Sequence, residues 1–240
     1  MLLYFVGCMA TYRLPSIAEA TIKILKHAGV DFMLLGEEEW CCGSVALRTG
    51  HVKEAEELAK HNVDAIKATG ADRVVTACAG CFRTLSVDYP RILGIEVPFE
   101  VVHFPVLLKE LIDEGRLKFP DSGEIRVTYH DPCHIGRHMG IYDEPREAID
   151  SIPGVFRVEM FHSRETASCC GAGGGVRSTH RNLARGAADV RILEAEETGA
   201  DVLTTACPFC TFNLRESIER SGNKIEMLDL PEFVAHRLGL

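Results

Sequence analysis

The chain has 240 residues, of which 46% are hydrophobic, and its formal net charge is -9 at pH 7. This length and apolar content suit one large domain or two of about 120 residues each. The acidic balance argues against a nucleic-acid backbone or an anionic membrane as the main partner, because both reward clustered Lys and Arg. No apolar window reaches about 18 residues, and Met1 to Val6 lack the basic start of an export signal, so we expect a cytoplasmic protein.

Strands alternate with helices along the predicted first half. Three apolar runs predict buried strands: Leu2 to Gly7, Val30 to Leu35 and Arg73 to Ala77. Apolar residues at helical spacing predict a helix that Ser16 caps and Gly29 ends, and a second helix from Val52 to Gly70. This alternation predicts an α/β fold.

The second half repeats this order. Eight of the 14 positions from Ala68 to Cys81 are identical to the positions 129 residues later, which indicates an internal duplication. The turn-rich stretch from Phe119 to Gly123 is the predicted seam, so we expect half-domains at 1–121 and 122–240. The sequence predicts two duplicated Rossmann-like half-domains with mainly parallel sheets, related by a pseudo-twofold axis.

All ten cysteines follow one pattern that occurs twice: a lone cysteine, then Cys-Cys-Gly, then Cys-x-x-Cys. The first set is Cys8, Cys41, Cys42, Cys78 and Cys81; the second set is Cys133, Cys169, Cys170, Cys207 and Cys210. The predicted elements place these residues at carboxyl ends of parallel strands and at the starts of the following helices. Ligands gather at that edge, and helix amino termini stabilise anions. We expect the five thiols of each set to converge at one rim.

Three kinds of chemistry compete for five thiols. Disulfides fit poorly, because five is odd, adjacent cysteines bridge each other badly and a reducing compartment disfavours them. A structural zinc takes four tetrahedral ligands and leaves one cysteine idle, and it stays an alternative for one half or for both. An iron-sulfur cluster that is not a cubane can use all five, because adjacent thiolates can reach separate irons or bridge two. Glycines such as Gly43 and the run from Gly171 to Gly175 let backbone amides approach cluster sulfides.

The spacers within the two sets resemble a known signature. Intervals of 32 and 35 residues in the first set, and of 35 and 36 in the second, are similar to those of the cysteine-rich CCG domain family. Four phrases also resemble the catalytic subunits of heterodisulfide reductases, of B-type and D-type: Tyr129 to His134, Gly136 to His138, Cys169 to Val176, and Cys207 to Leu214. The resemblance implies a noncubane 4Fe-4S cluster in each half and a small-molecule disulfide substrate cleaved between the two clusters.

The resemblance also implies partners. The D-type subunit carries an additional ferredoxin-like segment, whereas this chain has no cysteines beyond the two sets. We therefore expect electrons from a ferredoxin-type iron-sulfur subunit, and beyond it a flavin subunit or a membrane cytochrome that would keep the chain peripheral to a membrane. Two alternatives stay open: an electron-relay subunit of a lactate or glycolate oxidising complex, and a zinc-stabilised interaction module.

Titratable and cationic side chains near the second set are the candidate catalytic residues: His130, His134, Arg137 and His138. Cleavage of a disulfide leaves thiolates that need protons, and histidine titrates in the useful range. Further arginines that follow a leading cysteine or a Cys-Cys-Gly turn are candidates for binding anionic substrate groups: Arg13, Arg48 and Arg177. For each of these residues an ordinary hydrogen bond or salt bridge is the alternative.

Overall fold

The computed structural model describes all 240 residues and contains two four-stranded sheets whose strands are all parallel. The strands of the first sheet are β1 (Leu2–Tyr4), β2 (Phe32–Met33), β3 (Arg73–Thr76) and β4 (Glu100–His103). Those of the second are β5 (Ile125–His130), β6 (Val155–Arg157), β7 (Val202–Thr205) and β8 (Glu226–Asp229). The spatial orders are β2-β1-β3-β4 and β6-β5-β7-β8, so both sheets have one topology and the predicted duplicated α/β fold is confirmed.

Twelve helices connect and cover the strands. In the first half they are α1 (Cys8–Tyr12), α2 (Pro15–His27), α3 (Ser44–Arg48), α4 (Val52–Thr69), α5 (Ala79–Arg83), α6 (Tyr89–Arg91) and α7 (Phe104–Asp113). In the second half they are α8 (Asp143–Asp150), α9 (Val176–Thr179), α10 (Arg181–Glu197), α11 (Pro208–Ser221) and α12 (Leu230–Leu238). None of them combines the length and the hydropathy that a membrane crossing requires.

Two reciprocal pairs of helices join the halves. Helix α2 follows β1 as α8 follows β5, and α7 follows β4 as α12 follows β8. Helix α2 packs against α12, and α7 packs against α8. Each pair therefore repeats the other with the roles of the halves exchanged, which is the form that a twofold axis imposes on an interface.

One hydrophobic core runs through both halves. Side chains of β1 alternate between two clusters, with Leu2 and Tyr4 in a cluster of 45 buried residues and Leu3 in a cluster of 13. The larger cluster takes residues from both sheets and from α2, α7, α8 and α12, whereas the buried residues of the smaller one belong to the first half. The halves thus share the core between them, and the boundary between residues 121 and 122 stays a prediction.

Some local predictions at element ends were wrong. Helix α2 begins at Pro15, because the fixed φ of proline suits the first helical position, so Ser16 lies inside the helix. The Ser16 hydroxyl donates instead to Glu232 Oε1 of α12, at 2.6 Å. Strand β1 ends at Tyr4 rather than at Gly7, which has φ of 80° and turns the chain into α1.

Replacing Ile24 by alanine tests the shared core. Ile24 is fully buried on α2, so Ile24→Ala should lower the free energy of unfolding by about 3 kcal/mol through lost burial and a residual cavity. Because the core is continuous, amide hydrogen exchange should lose protection in β7 as well as in β1. The exposed neighbour Lys23 provides the control, and Lys23→Ala should leave both strands protected. Loss of protection confined to the first sheet would contradict a common core.

Candidate metal centre

The first cysteine set lines one cavity at the carboxyl edge of the first sheet. Cys8 opens α1 just beyond β1, and Cys78 precedes α5 just beyond β3. Cys81 lies one turn further along α5, and the Cys-Cys pair precedes α3. All five cysteines line one small cavity, so the five side chains converge as expected.

The second set is arranged in the same way around a larger cavity. Cys133 lies in the turn beyond β5, and Cys207 precedes α11 just beyond β7. All five cysteines of this set line that cavity. Residues of the first half complete its wall: Ser44, Val45, Arg48, Ala79 and Gly80. This cavity therefore lies between the two halves.

The two cavities are neighbours with a common wall. Four residues line both of them: Ser44, Val45, Gly80 and Phe209. The Cys207 thiol raises the pKa of Cys78, so these two sulfurs, one from each set, interact across the boundary. A metal group bound by one cysteine set would therefore lie close to a metal group bound by the other set.

Close packing of the thiols shifts their pKa values. The Sγ atoms of Cys8 and Cys41 are 3.8 Å apart, well beyond a disulfide bond, and all ten cysteines are free. Hydrogen bonds from neighbouring thiols lower the pKa of Cys41 to about 3 and the pKa of Cys169 to about 2. Each set therefore holds a thiolate among closely packed sulfurs, and this is a donor set for a thiophilic metal.

A buried asparagine side chain donates a hydrogen bond to the backbone of each Cys-Cys turn. Asn62 Nδ2 donates to the carbonyl of Cys41 at 3.0 Å, and Asn213 Nδ2 donates to the carbonyl of Cys170 at 2.6 Å. The glycine after the second pair is required by the fold, because Gly171 has φ of 82° and a Cβ there would lie 2.5 Å from the carbonyl oxygen of Ala184. The turns are rigid before any ligand binds.

Two further observations test whether an iron-sulfur group fits these cavities. A Cβ on Gly7 would lie 3.0 Å from Cys81 Sγ, so glycine keeps space open beside that sulfur. Arg191 is fully buried, and its Nη2 has no hydrogen-bond partner in the protein. A buried donor without an acceptor costs about 1 to 3 kcal/mol, and an anionic group nearby would remove that cost. Donor set, space and charge all fit a cluster.

The candidate catalytic histidines differ in position. His134 lines the second cavity, while His138 is exposed, with its ring centroid 5.5 Å from that of His134. Burial lowers the pKa of His134 to about 4, so its ring is neutral near pH 7. His130 is buried behind the cysteines, and its Nδ1 accepts a hydrogen bond from Arg191 Nε at 3.0 Å. Burial lowers the pKa of His130 to about 3.

Of the four candidate arginines, one borders the second cavity. Arg48 lines it and forms an ion pair with the buried Asp88 at 2.8 Å. Arg137 does not line it and donates to the carbonyl of Ala167 at 2.8 Å, where it braces the segment before the second Cys-Cys pair. Arg177 is paired with Glu216, and Arg13 is exposed.

Phe209 and Arg191 are among the site residues that sequence reasoning missed. Phe209 lies between the cysteines of a Cys-x-x-Cys motif, so the motif itself was the available signal. Arg191 gave no signal, because a single arginine within an amphipathic helix is typical of a solvated surface. The sulfurs of Cys170 and Cys210 and a ring nitrogen of His130 lie within 4.8 Å of one another, and Arg191 stands directly behind them.

A protein of known structure supports the fold alone. A hypothetical protein from Helicobacter pylori aligns with all of this chain and with 49% of its own chain, at a TM-score of 0.70 and 13% identity. That identity is too low to carry function.

Curated relatives cover the whole chain. The D-type subunit of dihydromethanophenazine:CoB--CoM heterodisulfide reductase from Methanosarcina acetivorans is 50% identical over 242 residues, which are 100% of this chain and 59% of that protein. One of the subunits of fumarate reductase (CoM/CoB) from Methanothermobacter marburgensis is 36% identical over 234 residues, which are 95% of this chain and 45% of that protein. The chain thus spans 59% of the length of the first of these relatives.

The family model for the cysteine-rich domain, CCG, matches residues 2–86 and 127–215. One match falls in each half, around the first and the second cysteine set. With two matches and 50% identity over its full length to a D-type subunit of heterodisulfide reductase, the chain belongs to the CCG cysteine-rich domain family and carries two copies of that domain.

Proposed function

We propose that the chain is the catalytic part of an iron-sulfur disulfide reductase, with a noncubane 4Fe-4S cluster in each five-thiol cavity. The pair of neighbouring cavities carries the proposal, because two clusters beside one cleft match the two electrons that one S–S bond requires. The relatives named as D-type subunits of heterodisulfide reductase support the same reaction class.

The five thiols of each set would hold the irons of one cluster, the first set from Cys8 to Cys81 and the second from Cys133 to Cys210. When bound, the two clusters supply the two electrons that, with two protons, turn a disulfide R–S–S–R′ into the thiols R–SH and R′–SH. The chain's own residues bind and orient the disulfide, exclude water and deliver the protons.

The substrate binds in a cleft where the two cavities meet, at the wall that both share. Val45 and Phe209 give this cleft an apolar wall, which excludes water from the reacting sulfurs. Arg48 lies at the same wall and offers a guanidinium to an anionic group of the substrate. A small disulfide with acidic groups fits these features, and the heterodisulfide of coenzyme M and coenzyme B is the substrate we propose.

Protons reach the cleft from the side of the second set. His134 borders the cavity, and its neutral ring can take up a proton at one nitrogen and release a proton from the other to a substrate sulfur. The exposed ring of His138 lies beside it and connects it to solvent. Arg137 contributes by holding the backbone before Cys169 in place. His130 is buried behind the cysteines and takes no part in this proton path.

Electrons arrive at the first set. Cys8 and Cys41 also border a wide groove with exposed walls at Tyr12 and Trp40, so this set is accessible from outside the fold. A ferredoxin-type iron-sulfur subunit is the donor we propose, with a flavin subunit or a membrane cytochrome beyond it.

Iron analysis tests the ligand assignment. Protein purified without oxygen should be brown and contain about eight irons, and Cys42→Ala or Cys170→Ala should each leave about four. Ser168→Ala, next to Cys169 but without loss of a thiol, is the control and should keep all the iron. Colourless protein with stoichiometric zinc would instead favour the interaction module.

An activity assay tests the reaction. Oxidation of a reduced electron donor by the intact complex should depend on added heterodisulfide. His134→Gln should lower this rate by about 100-fold while the iron content stays the same, because a proton donor is lost. A donor oxidation that proceeds without any disulfide would mark the chain as an electron relay, and an unchanged rate in His134→Gln would remove that residue from the mechanism.

A further inference from the structure

The duplication gives each residue of one cysteine site a counterpart in the other. Tyr4 pairs with Val75 in the first sheet, and Tyr129 pairs with Thr204 in the second, so the two tyrosines occupy equivalent places. The next residue along the chain is Phe5 in the first half and His130 in the second. Both side chains are buried, yet one is a hydrocarbon ring and the other a hydrogen-bonding ring.

The residue that hydrogen-bonds to His130 also has a different side chain at the equivalent position of the first half. The 129-residue offset that aligns Thr69 with Thr198 aligns Asn62 of α4 with Arg191 of α10. Arg191 is fully buried and donates from Nε to His130 Nδ1 at 3.0 Å. A guanidinium is always a donor, so Nδ1 must be the acceptor and the ring proton must be on Nε2. The contact fixes the tautomer of His130, and one ring nitrogen of His130 lies within 4.8 Å of the sulfurs of Cys170 and Cys210.

Arg191 is a buried guanidinium, and only some of its N–H groups have hydrogen-bond acceptors in the protein. Its Nη1 donates to the His162 carbonyl at 2.7 Å and to the carboxylate of Glu194. Its Nη2 has no acceptor in the protein. Through its contact with His130, the guanidinium lies behind the sulfurs of Cys170 and Cys210.

The first half has different electrostatics. Glu39 accepts hydrogen bonds from the backbone N–H groups of Val6 at 2.8 Å and Gly7 at 2.6 Å, and it lines the same groove as Cys8 and Cys41. In the second half the counterpart of Glu39 is Ala167, and that of Gly7 is Pro132, which has no N–H to offer. The carboxylate beside the first site, Glu39, has only backbone N–H partners. Beside the second site the buried carboxylate of Asp131 is paired with Arg146, and Arg191, which is paired with Glu194, keeps one N–H group without an acceptor.

We propose that the His130–Arg191 couple makes the cluster of the second cysteine set the stronger electron acceptor, so that an electron that enters at the first set moves to the second. The inference rests on the proposed pair of clusters. Reduction adds one negative charge to a cluster, and N–H donors and cations near its sulfurs stabilise that charge, whereas a carboxylate opposes it. In the transfer, the first cluster loses one electron and the second gains it, and no bond forms or breaks. His130 and Arg191 are positioning residues.

A redox titration monitored by electron paramagnetic resonance tests this order. Signals are assigned with Cys42→Ala and Cys170→Ala, each of which removes one ligand and should thereby eliminate one of the two clusters. The second cluster should have the higher midpoint, by at least a tenfold difference in the reduction equilibrium constant, which is about 59 mV for a one-electron couple. His130→Phe copies the first half and should lower the second midpoint by about the same tenfold factor, whereas His130→Gln, which keeps an N–H donor, should restore most of it.

Two more variants test the order of the two midpoints even if His130→Phe does not fold. Glu39→Gln should raise the first midpoint and leave the second unchanged, because it removes only the acidic neighbour. Phe5→Leu, an apolar exchange at the counterpart of His130, is the control and should move neither. Equal midpoints in wild-type protein with about eight irons, or a second midpoint that His130→Phe leaves unchanged, would overturn the inference alone. Wild-type protein without iron would overturn the proposed clusters, and this inference with them.

Discussion

Crowding of sulfur at the carboxyl edge of two parallel sheets is the constraint on which the rest of this structure depends. Five thiols around one small cavity repel one another once ionised, so they need rigid support and a cation. The support comes from strand ends, short helices and buried asparagines such as Asn62 and Asn213, which hold the Cys-Cys turns by their carbonyls. The same rigidity keeps the sulfurs together before a metal arrives.

The shared core extends this rigidity from one site to the other. Helix pairs α2 with α12 and α7 with α8 lock the halves, and a single cluster of buried residues continues through both. The relative position of the two cavities is therefore set by packing of secondary structure rather than by a flexible hinge. Phe209 and the neighbouring sulfurs of Cys78 and Cys207 lie at the point where the sites meet.

Local patterns in the sequence were sufficient for the strands, the duplication and the meeting of each cysteine set, because strand ends of a parallel sheet share one edge. They were insufficient where residues distant in the chain interact. Arg191 and His130 are 61 residues apart and meet only through the packing of α10 on the second sheet. The role of Arg137 as a brace on Ala167 has the same origin, since nothing local distinguishes it from a ligand-binding arginine.

Two sequence differences between the halves depend on each other through one backbone N–H group. Gly7 has an N–H that Glu39 accepts, and proline at the counterpart position Pro132 leaves no donor for a carboxylate, which is consistent with alanine at the counterpart of Glu39. A buried carboxylate without donors would be costly, so the exchange of glycine for proline and the loss of the acid favour each other. The thiols were kept and their surroundings diverged, and two sites with the same ligands can thereby differ in their affinity for an electron.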